Sequence, residues 1–389
     1  MHSLVHLFRK FMVIGSTSFG GYMALIAMMR EQFVTRDKVI DDEVITEGIA
    51  IASVLPGPVA VNVVAYTGYM LGGVRGALVS VVAVLIPSFV LVSIFAVLYF
   101  SFGELVNVNT MLKGVMPVIV ALLFSVAANM GFKSVSRWPE ALILLFATTV
   151  FIFVPRYEIV LGILLISASF GILSKRKIFS GYSHAQPIRI TYLLAVAAMF
   201  VAAYFLMRYF ASENMMARLF TEFASISLTL FGGGYVMVPI LKSILVEQTQ
   251  WFSLDEFVVG ISVGQVTPGP ILISAAFFGY KLNGIPGALL ATVAIFFPSS
   301  MLMIIISKFF IQFRTNPIVQ GALSGIKPAI VGLIIAAGVS IFRDYWELSE
   351  SFISFFLLVI SFVLFFRFKI NPAIVVMVSG LAGYLVFSA

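Results

Sequence analysis

Cysteine is absent from all 389 residues, which excludes disulfides and any cysteine-held metal. Histidine is nearly so. His2, His6 and His184 lie in the amino-terminal stretch and a central loop, too scattered for a His-based metal or acid–base cluster. Charge is scarce as well: 11% of residues are Asp, Glu, Lys or Arg, against about 25% in a soluble domain. Also missing are a Gly-x-x-x-x-Gly-Lys-Ser/Thr phosphate loop, a His-Glu-x-x-His pair and a Gly-x-Ser-x-Gly elbow. ATP hydrolysis by the first route, zinc proteolysis and serine hydrolase chemistry therefore have no seat here. The chain reads as a non-enzyme, and no cofactor is expected. The amino terminus does not read as a signal peptide, because Arg9 and Lys10 lead into an apolar run that no small-residue cleavage site ends.

What remains is apolar. Hydrophobic residues make up 61% of the chain and mean hydropathy is +1.10. No water-soluble core hides that much apolar surface, so the chain is an all-α polytopic membrane protein with lipid as its solvent. Apolar segments follow one another at 5–30, 44–70, 76–100, 112–131, 139–154, 157–174, 191–209, 215–242, 256–281, 284–310, 318–341, 350–366 and 371–388. The long polar connector, 175–190, opens with Lys175-Arg176-Lys177. The net charge of +7 is spread between apolar segments rather than along one face, which argues against nucleic acid and for a role in topology.

Two apolar segments are broken by the same motif, Pro56-Gly57-Pro58 and Pro268-Gly269-Pro270. Proline lacks an N–H and clashes with the preceding turn, so neither break continues a regular helix. Other landmarks repeat in register. Phe19-Gly20-Gly21-Tyr22 answers Phe231-Gly232-Gly233-Gly234-Tyr235. Gly68-Tyr69 answers Gly279-Tyr280, Gly76-Ala77 answers Gly287-Ala288, and Pro87-Ser88 answers Pro298-Ser299. The offset stays at 211 to 213 residues, so the chain is a duplication. We divide it into a first repeat, 1–174, a connector with a linking helix, 175–209, and a second repeat, 210–389.

Each half holds six segments and one more stands between them. The second copy then enters from the opposite side, which gives two inverted repeats. If every segment crosses once, Lys and Arg fall fourteen to nine in favour of the side holding the amino terminus, placing it in the cytoplasm. The first two segments of each half, broken at Phe-Gly-Gly and Pro-Gly-Pro, also fit re-entrant hairpins. The ratio is then sixteen to seven. Both topologies keep the inversion, and charge counting leaves them open.

A broken membrane helix presents free N–H groups and the positive end of its dipole, an anion site that needs no charged side chain. The candidates are Gly20 and Gly21, Pro56, Gly57 and Pro58, Gly232 and Gly233, and Pro268, Gly269 and Pro270. Asn62, one turn after the first Pro-Gly-Pro, and Gln265 and Thr267, before the second, are side-chain donors. Lys327, inside an apolar segment, supplies charge. Glu47, Lys113 and Glu222 are candidates for coupling. Arg30 and Glu31 form either a helix-end ion pair or an anion gate. Ser253-Leu254-Asp255-Glu256 has capping-box spacing, and Asp41, Asp42 and Glu43 occupy the matching place in the first copy.

The paired set Phe-Gly-Gly, Leu55-Pro56-Gly57-Pro58, Phe231-Gly232-Gly233-Gly234-Tyr235 and Gly264-Gln265-Val266-Thr267-Pro268-Gly269-Pro270 resembles the chromate transporter family, two-domain type, over nearly the whole chain. The resemblance implies a bacterial inner-membrane secondary transporter that exports chromate and confers resistance, with sulfate as the structural analogue. The chain departs from the family pattern at Tyr22 and Leu25, where Pro and His are frequent. The expected partners are a small oxyanion and the lipid bilayer, and a homodimer is left open. The alternatives are transport of sulfate or another oxyanion, a passive anion channel, and an enzyme acting on lipid-linked phosphates, against which the lack of intramembrane His or clustered carboxylates argues.

Overall fold

The computed structural model describes residues 3–19, 22–102, 108–179, 214–231, 234–307, 317–349 and 352–387. The expected linking helix 191–209 and the glycine pairs 20–21 and 232–233 lie outside them. Among the described residues the secondary structure is helical. In the first half the helices are α1 (Leu4–Thr17), α2 (Tyr22–Met29), α3 (Asp42–Ala52), α4 (Val59–Phe102), α5 (Val108–Ser134), α6 (Trp138–Phe153) and α7 (Tyr157–Phe179). In the second they are α8 (Met215–Thr229), α9 (Met237–Lys242), α10 (Leu254–Val266), α11 (Ser274–Ser307), α12 (Pro317–Ser349), α13 (Phe352–Phe366) and α14 (Pro372–Phe387). π-helical turns, Arg30–Arg36 and Ser243–Gln248, extend α2 and α9.

The topology left open by charge is decided by which residues meet. Around Phe-Gly-Gly, the Phe11 and Phe33 rings lie 5.0 Å apart, and Lys10 Nζ donates to Asp37 Oδ1 at 3.0 Å. Around Pro56-Gly57-Pro58, Tyr66 Oη donates to Glu47 Oε2 at 2.7 Å, and Gly48 faces Tyr66. Around Pro268-Gly269-Pro270, Lys281 Nζ sits 2.6 Å from Glu256 Oε1, and Gly260 faces Phe277 and Phe278. Each pair is nearly symmetric about its break, so the chain folds back there. Arms of 14 residues in α1, 11 in α3, 15 in α8 and 13 in α10 are also shorter than the roughly 20 residues that cross a bilayer. These are re-entrant hairpins, and α8 and α9 pack together as the fourth.

The stretch Val59–Phe102 holds two helices. Its backbone leaves the helical region at Gly72 (φ −148°) and Gly73 (φ +64°), and Gly68 lies against Gly76 and Ser80. A continuous helix would separate Gly68 from Gly76 by about 12 Å. The same reversal occurs in α11 at Asn283 and Gly284, where Gly279 meets Gly287 and Ala291. The sequence boundaries near 71–75 and 282–283 therefore mark true turns. The helices that hold the long arms beyond them, 74–102 and 285–307, are long and apolar enough to cross a bilayer, as are α5, α7 and α12, and α6, α13 and α14 are shorter apolar helices.

Arm 74–102 also establishes the inversion. It starts beside the base of the Pro56-Gly57-Pro58 hairpin. At Val84 it touches Gly15, and at Ser88 its hydroxyl donates to Pro268 O. Near its end the Phe100 ring stacks on Tyr280, centroids 6.2 Å apart. Tyr280 belongs to the base of the other Pro-Gly-Pro hairpin. One arm thus runs from one hairpin base, past the tips, to the other base, so the two bases lie at its opposite ends, as inverted repeats require.

The repeats exchange helices. α5 of the first half packs against α13 and α14 of the second, and α12 packs against α6 and α7. Small residues allow these approaches: Gly114 meets Ser379 and Gly383, while Gly325 meets Ser167 and Gly171. The two crossings are repeat images of each other. A Cβ at Gly325 would run into backbone at Ser167, which cannot give way as a side chain can. Gly325→Leu is therefore expected to abolish recovery of monodisperse protein, as read by fluorescence-detected size exclusion, whereas Gly162→Leu, at a site with open space, elutes normally.

Candidate functional site

The Pro-Gly-Pro tips meet the flanks of the Phe-Gly-Gly breaks in crossed pairs. The turn at each Pro-Gly-Pro needs positive φ, +113° at Gly57 and +102° at Gly269, which residues with a Cβ rarely adopt. Each of these glycines donates its N–H to a carbonyl at the Phe-Gly-Gly break of the other repeat. Gly57 N–H reaches Leu230 O at 2.6 Å, and Gly269 N–H reaches Ser18 O at 2.8 Å. The glycines also leave no room for a side chain. Gly57 abuts Ser299 and Gly269 abuts Ser88, the serines of the duplicated Pro-Ser pairs. Those serines were legible as repeat landmarks, and their role as seats for the opposite tip comes from the structure.

The arms after each break start at Tyr22, Val59, Gly234 and Ile271. Pro270, which precedes the last of these, provides no side-chain cap. Polar atoms near the tips are buried without a hydrogen-bond partner: Gln265 Nε2, Ser274 Oγ, Ser227 Oγ and Asn62 Oδ1. Burying such groups dry costs roughly 1–3 kcal/mol each, so this is where a polar ligand or ordered water belongs. Gln265 is 6% exposed, and its Oε1 accepts from Tyr235 Oη at 3.4 Å. That contact leaves the amide nitrogen as its free end. Tyr235 was not singled out by sequence, although its place after the repeated Phe-Gly-Gly was the available signal.

Not every sequence candidate joins this group. Asn62 joins it through Oδ1 alone: the residue is fully buried, and its Nδ2 donates to Pro56 O at 3.2 Å, bracing its own tip. Thr267 Oγ1 donates to Val263 O at 2.9 Å, within its own helix. Glu47 holds Tyr66 down the hairpin. Arg30 pairs with Asp42, Nε to Oδ1 at 2.8 Å, and donates to Thr46 Oγ1 at 3.1 Å. Glu31, exposed, forms no pair with Arg30: the cation belongs to the start of α3, where Asp42 is within reach. Glu222 is 8% exposed inside α8. Lys113 is exposed, and its carbonyl accepts from Tyr345 Oη at 2.8 Å. The Ser253 capping box is formed in full, with Ser253 N–H to Glu256 Oε2 at 2.8 Å and Glu256 N–H to Ser253 Oγ at 3.2 Å.

Lys327 differs from these. It lies about 15 Å along α12 from its start, exposed, while its repeat counterpart Met116 is 2% exposed. A lysine at that depth with an open face belongs beside water rather than hydrocarbon. α12 also packs against Gly234–Val236, just after the Phe231 break, which puts Lys327 on the helix that lines the tips.

Opposed re-entrant hairpins inside a bundle of spanning helices, with free polar groups at their tips, define a multi-pass membrane transporter. The chain belongs to the chromate transporter family, whose model matches twice, at residues 5–172 and 217–384. It is 28% identical to an uncharacterized transporter of Methanocaldococcus jannaschii, over 99% of this chain and 94% of that one. It is 27% identical to a chromate transport protein of Cupriavidus metallidurans, over 86% and 82%. An uncharacterized transporter of Bacillus subtilis, 29% identical, matches 43% of this chain over 95% of its own length. No solved structure matches.

Proposed function

We propose that the protein is a secondary active oxyanion transporter of the bacterial inner membrane, exporting chromate and so conferring resistance to it. The crossed pair of tip hydrogen bonds, Gly57 to Leu230 and Gly269 to Ser18, carries this reading. It brings helix starts of both repeats to one place, where partial positive charge and free N–H groups favour a tetrahedral dianion. Gln265 Nε2 and the hydroxyls of Ser227 and Ser274 add side-chain donors, and Lys327 adds a full charge. Because the bonds tie tip to tip, they support alternating access over a standing pore. The exchanged helices join the two repeats, so the hairpins are the parts that move against a fixed frame. The same hairpins put Lys and Arg at sixteen to seven in favour of the amino-terminal side, which supports a cytoplasmic amino terminus. The division at 1–174, 175–209 and 210–389 is kept with this reading.

Purified protein should bind chromate, and proteoliposomes should accumulate it against its gradient. Chromate, sulfate, molybdate and phosphate are compared at two pH values. Equilibration without accumulation would replace the transporter with a channel, and binding of none of the four would remove the oxyanion.

A further inference from the structure

The base of the Phe231-Gly232-Gly233 hairpin carries a charge cluster that the tip site does not use. Lys242, at the end of α9, has a side chain only 5% exposed. Its Nζ lies 2.7 Å from Glu247 Oε1, 2.8 Å from Ser340 Oγ and 3.2 Å from Asp344 Oδ2. The next residue, Ser243, donates to Pro155 O at 2.6 Å in the turn between α6 and α7. One hairpin base is thus fastened both to α12 and to that turn. The cluster lines a cavity of about 270 Å³ together with Arg343, Pro239 and Phe151. Glu247 Oε2 is buried there and has no hydrogen-bond partner.

The cluster is not duplicated. At the repeat offset its three ionisable positions fall on Arg30, Thr35 and Lys133, none of them a carboxylate. The tips, which hold the anion in the reading above, occur in both halves. A coupling site has no need to.

We infer that Lys242, Glu247 and Asp344 form the proton-binding site that couples the transporter to the proton gradient. This rests on the transport reading proposed above. Glu247 takes a proton on Oε2 and becomes neutral. Lys242 stays an ammonium held by Asp344 and Ser340, its bond to Glu247 weakens, and the hairpin base loosens from α12. That hairpin carries Leu230, whose carbonyl binds Gly57 at the tips, so the proton and the anion act on the same moving element. The cluster faces the side opposite the amino terminus, the proton-rich side of an inner membrane in the orientation proposed. Among the described residues, the other charged groups on the elements packed against it are Arg343 on α12, paired with Asp344 at 3.4 Å, Arg156 in the α6–α7 turn and Glu158 in the first turn of α7, and Arg218 and Glu222 on α8, which packs against α9.

The test uses the full chain in proteoliposomes with radiolabelled chromate. One arm measures exchange at equal chromate and equal pH on both sides. The other measures accumulation driven by an imposed gradient of about one pH unit, enough for roughly tenfold accumulation per coupled proton. Glu247→Gln is expected to keep exchange within about twofold, to lose accumulation, and to flatten the pH profile of exchange. Asp344→Asn should shift that profile, because Asp344 holds Lys242 from the other side. Accumulation at the wild-type level in both variants overturns the assignment. So does loss of exchange and accumulation together in folded Glu247→Gln. If Glu247→Gln does not fold, the charge-balanced Lys242→Met/Glu247→Gln pair replaces it under the same criteria. Absence of both activities from the wild type defeats the transport reading instead.

Discussion

Gly269→Leu is expected to lower chromate flux by about a hundredfold or more, the scale of a reacting geometry displaced by around 1 Å, while the protein still elutes as folded. Three observations combine at this residue. Its φ of +102° is strained for leucine. The position of a Cβ is already occupied by Ser88. Its N–H is also bonded to Ser18 O, so a displaced tip loses its crossed partner as well. Gly57→Leu should behave alike through Ser299 and Leu230. Gly162→Leu is the control: Gly162 lies inside α7, and nothing lies within 4 Å of a Cβ there. Normal flux in Gly162→Leu beside lost flux in Gly269→Leu locates the effect at the tips. Normal flux in Gly269→Leu would mean the tips do not carry the anion.

Lys327→Met should weaken apparent chromate affinity by about tenfold or more, which corresponds to roughly 1.4 kcal/mol, a modest value for one charge near a dianion at the dielectric of a protein surface. Lys327→Arg keeps the charge and should keep most of the affinity. Methionine is the residue the first repeat carries at the equivalent Met116, so the change makes the two halves alike and introduces no foreign shape. Affinity is read from the concentration dependence of exchange at two ionic strengths. Salt should weaken the wild type more than Lys327→Met. Equal affinity and equal salt response in both would show that Lys327 faces away from the anion path.

Much of this architecture was legible in the chain. Glycine and proline mark breaks for backbone reasons that need no partner, so the paired Pro-Gly-Pro motifs and the reversals near Gly73 and Gly284 could be read directly. The inversion followed from parity. Re-entrance did not follow, because a broken segment has the same composition whether it crosses or returns; the pairing of Phe11 with Phe33 decides it. The helix exchange was also hidden. Apolar faces do not specify which apolar face they meet, and a glycine such as Gly114 or Gly325 does not name its partner. Lys242 was read as a topological charge because its partners Ser340 and Asp344 lie 98 and 102 residues away. At the tips, Gln265 stands beside the second break in the sequence itself, whereas Ser88 and Ser299 stood out only as repeat landmarks, since a lone serine in an apolar helix usually bonds its own backbone.

The exchange of helices also sets a timetable for making the protein. Gly114 on α5 finds its partners Ser379 and Gly383 only when α14 has been synthesised. That is about 265 residues later, on the order of tens of seconds at roughly 5–20 residues per second. Until then α5 sits in the bilayer with its small-residue stripe uncovered, and the first half cannot close on itself. Truncating the chain within α14 would therefore leave damage far upstream, in a helix inserted long before.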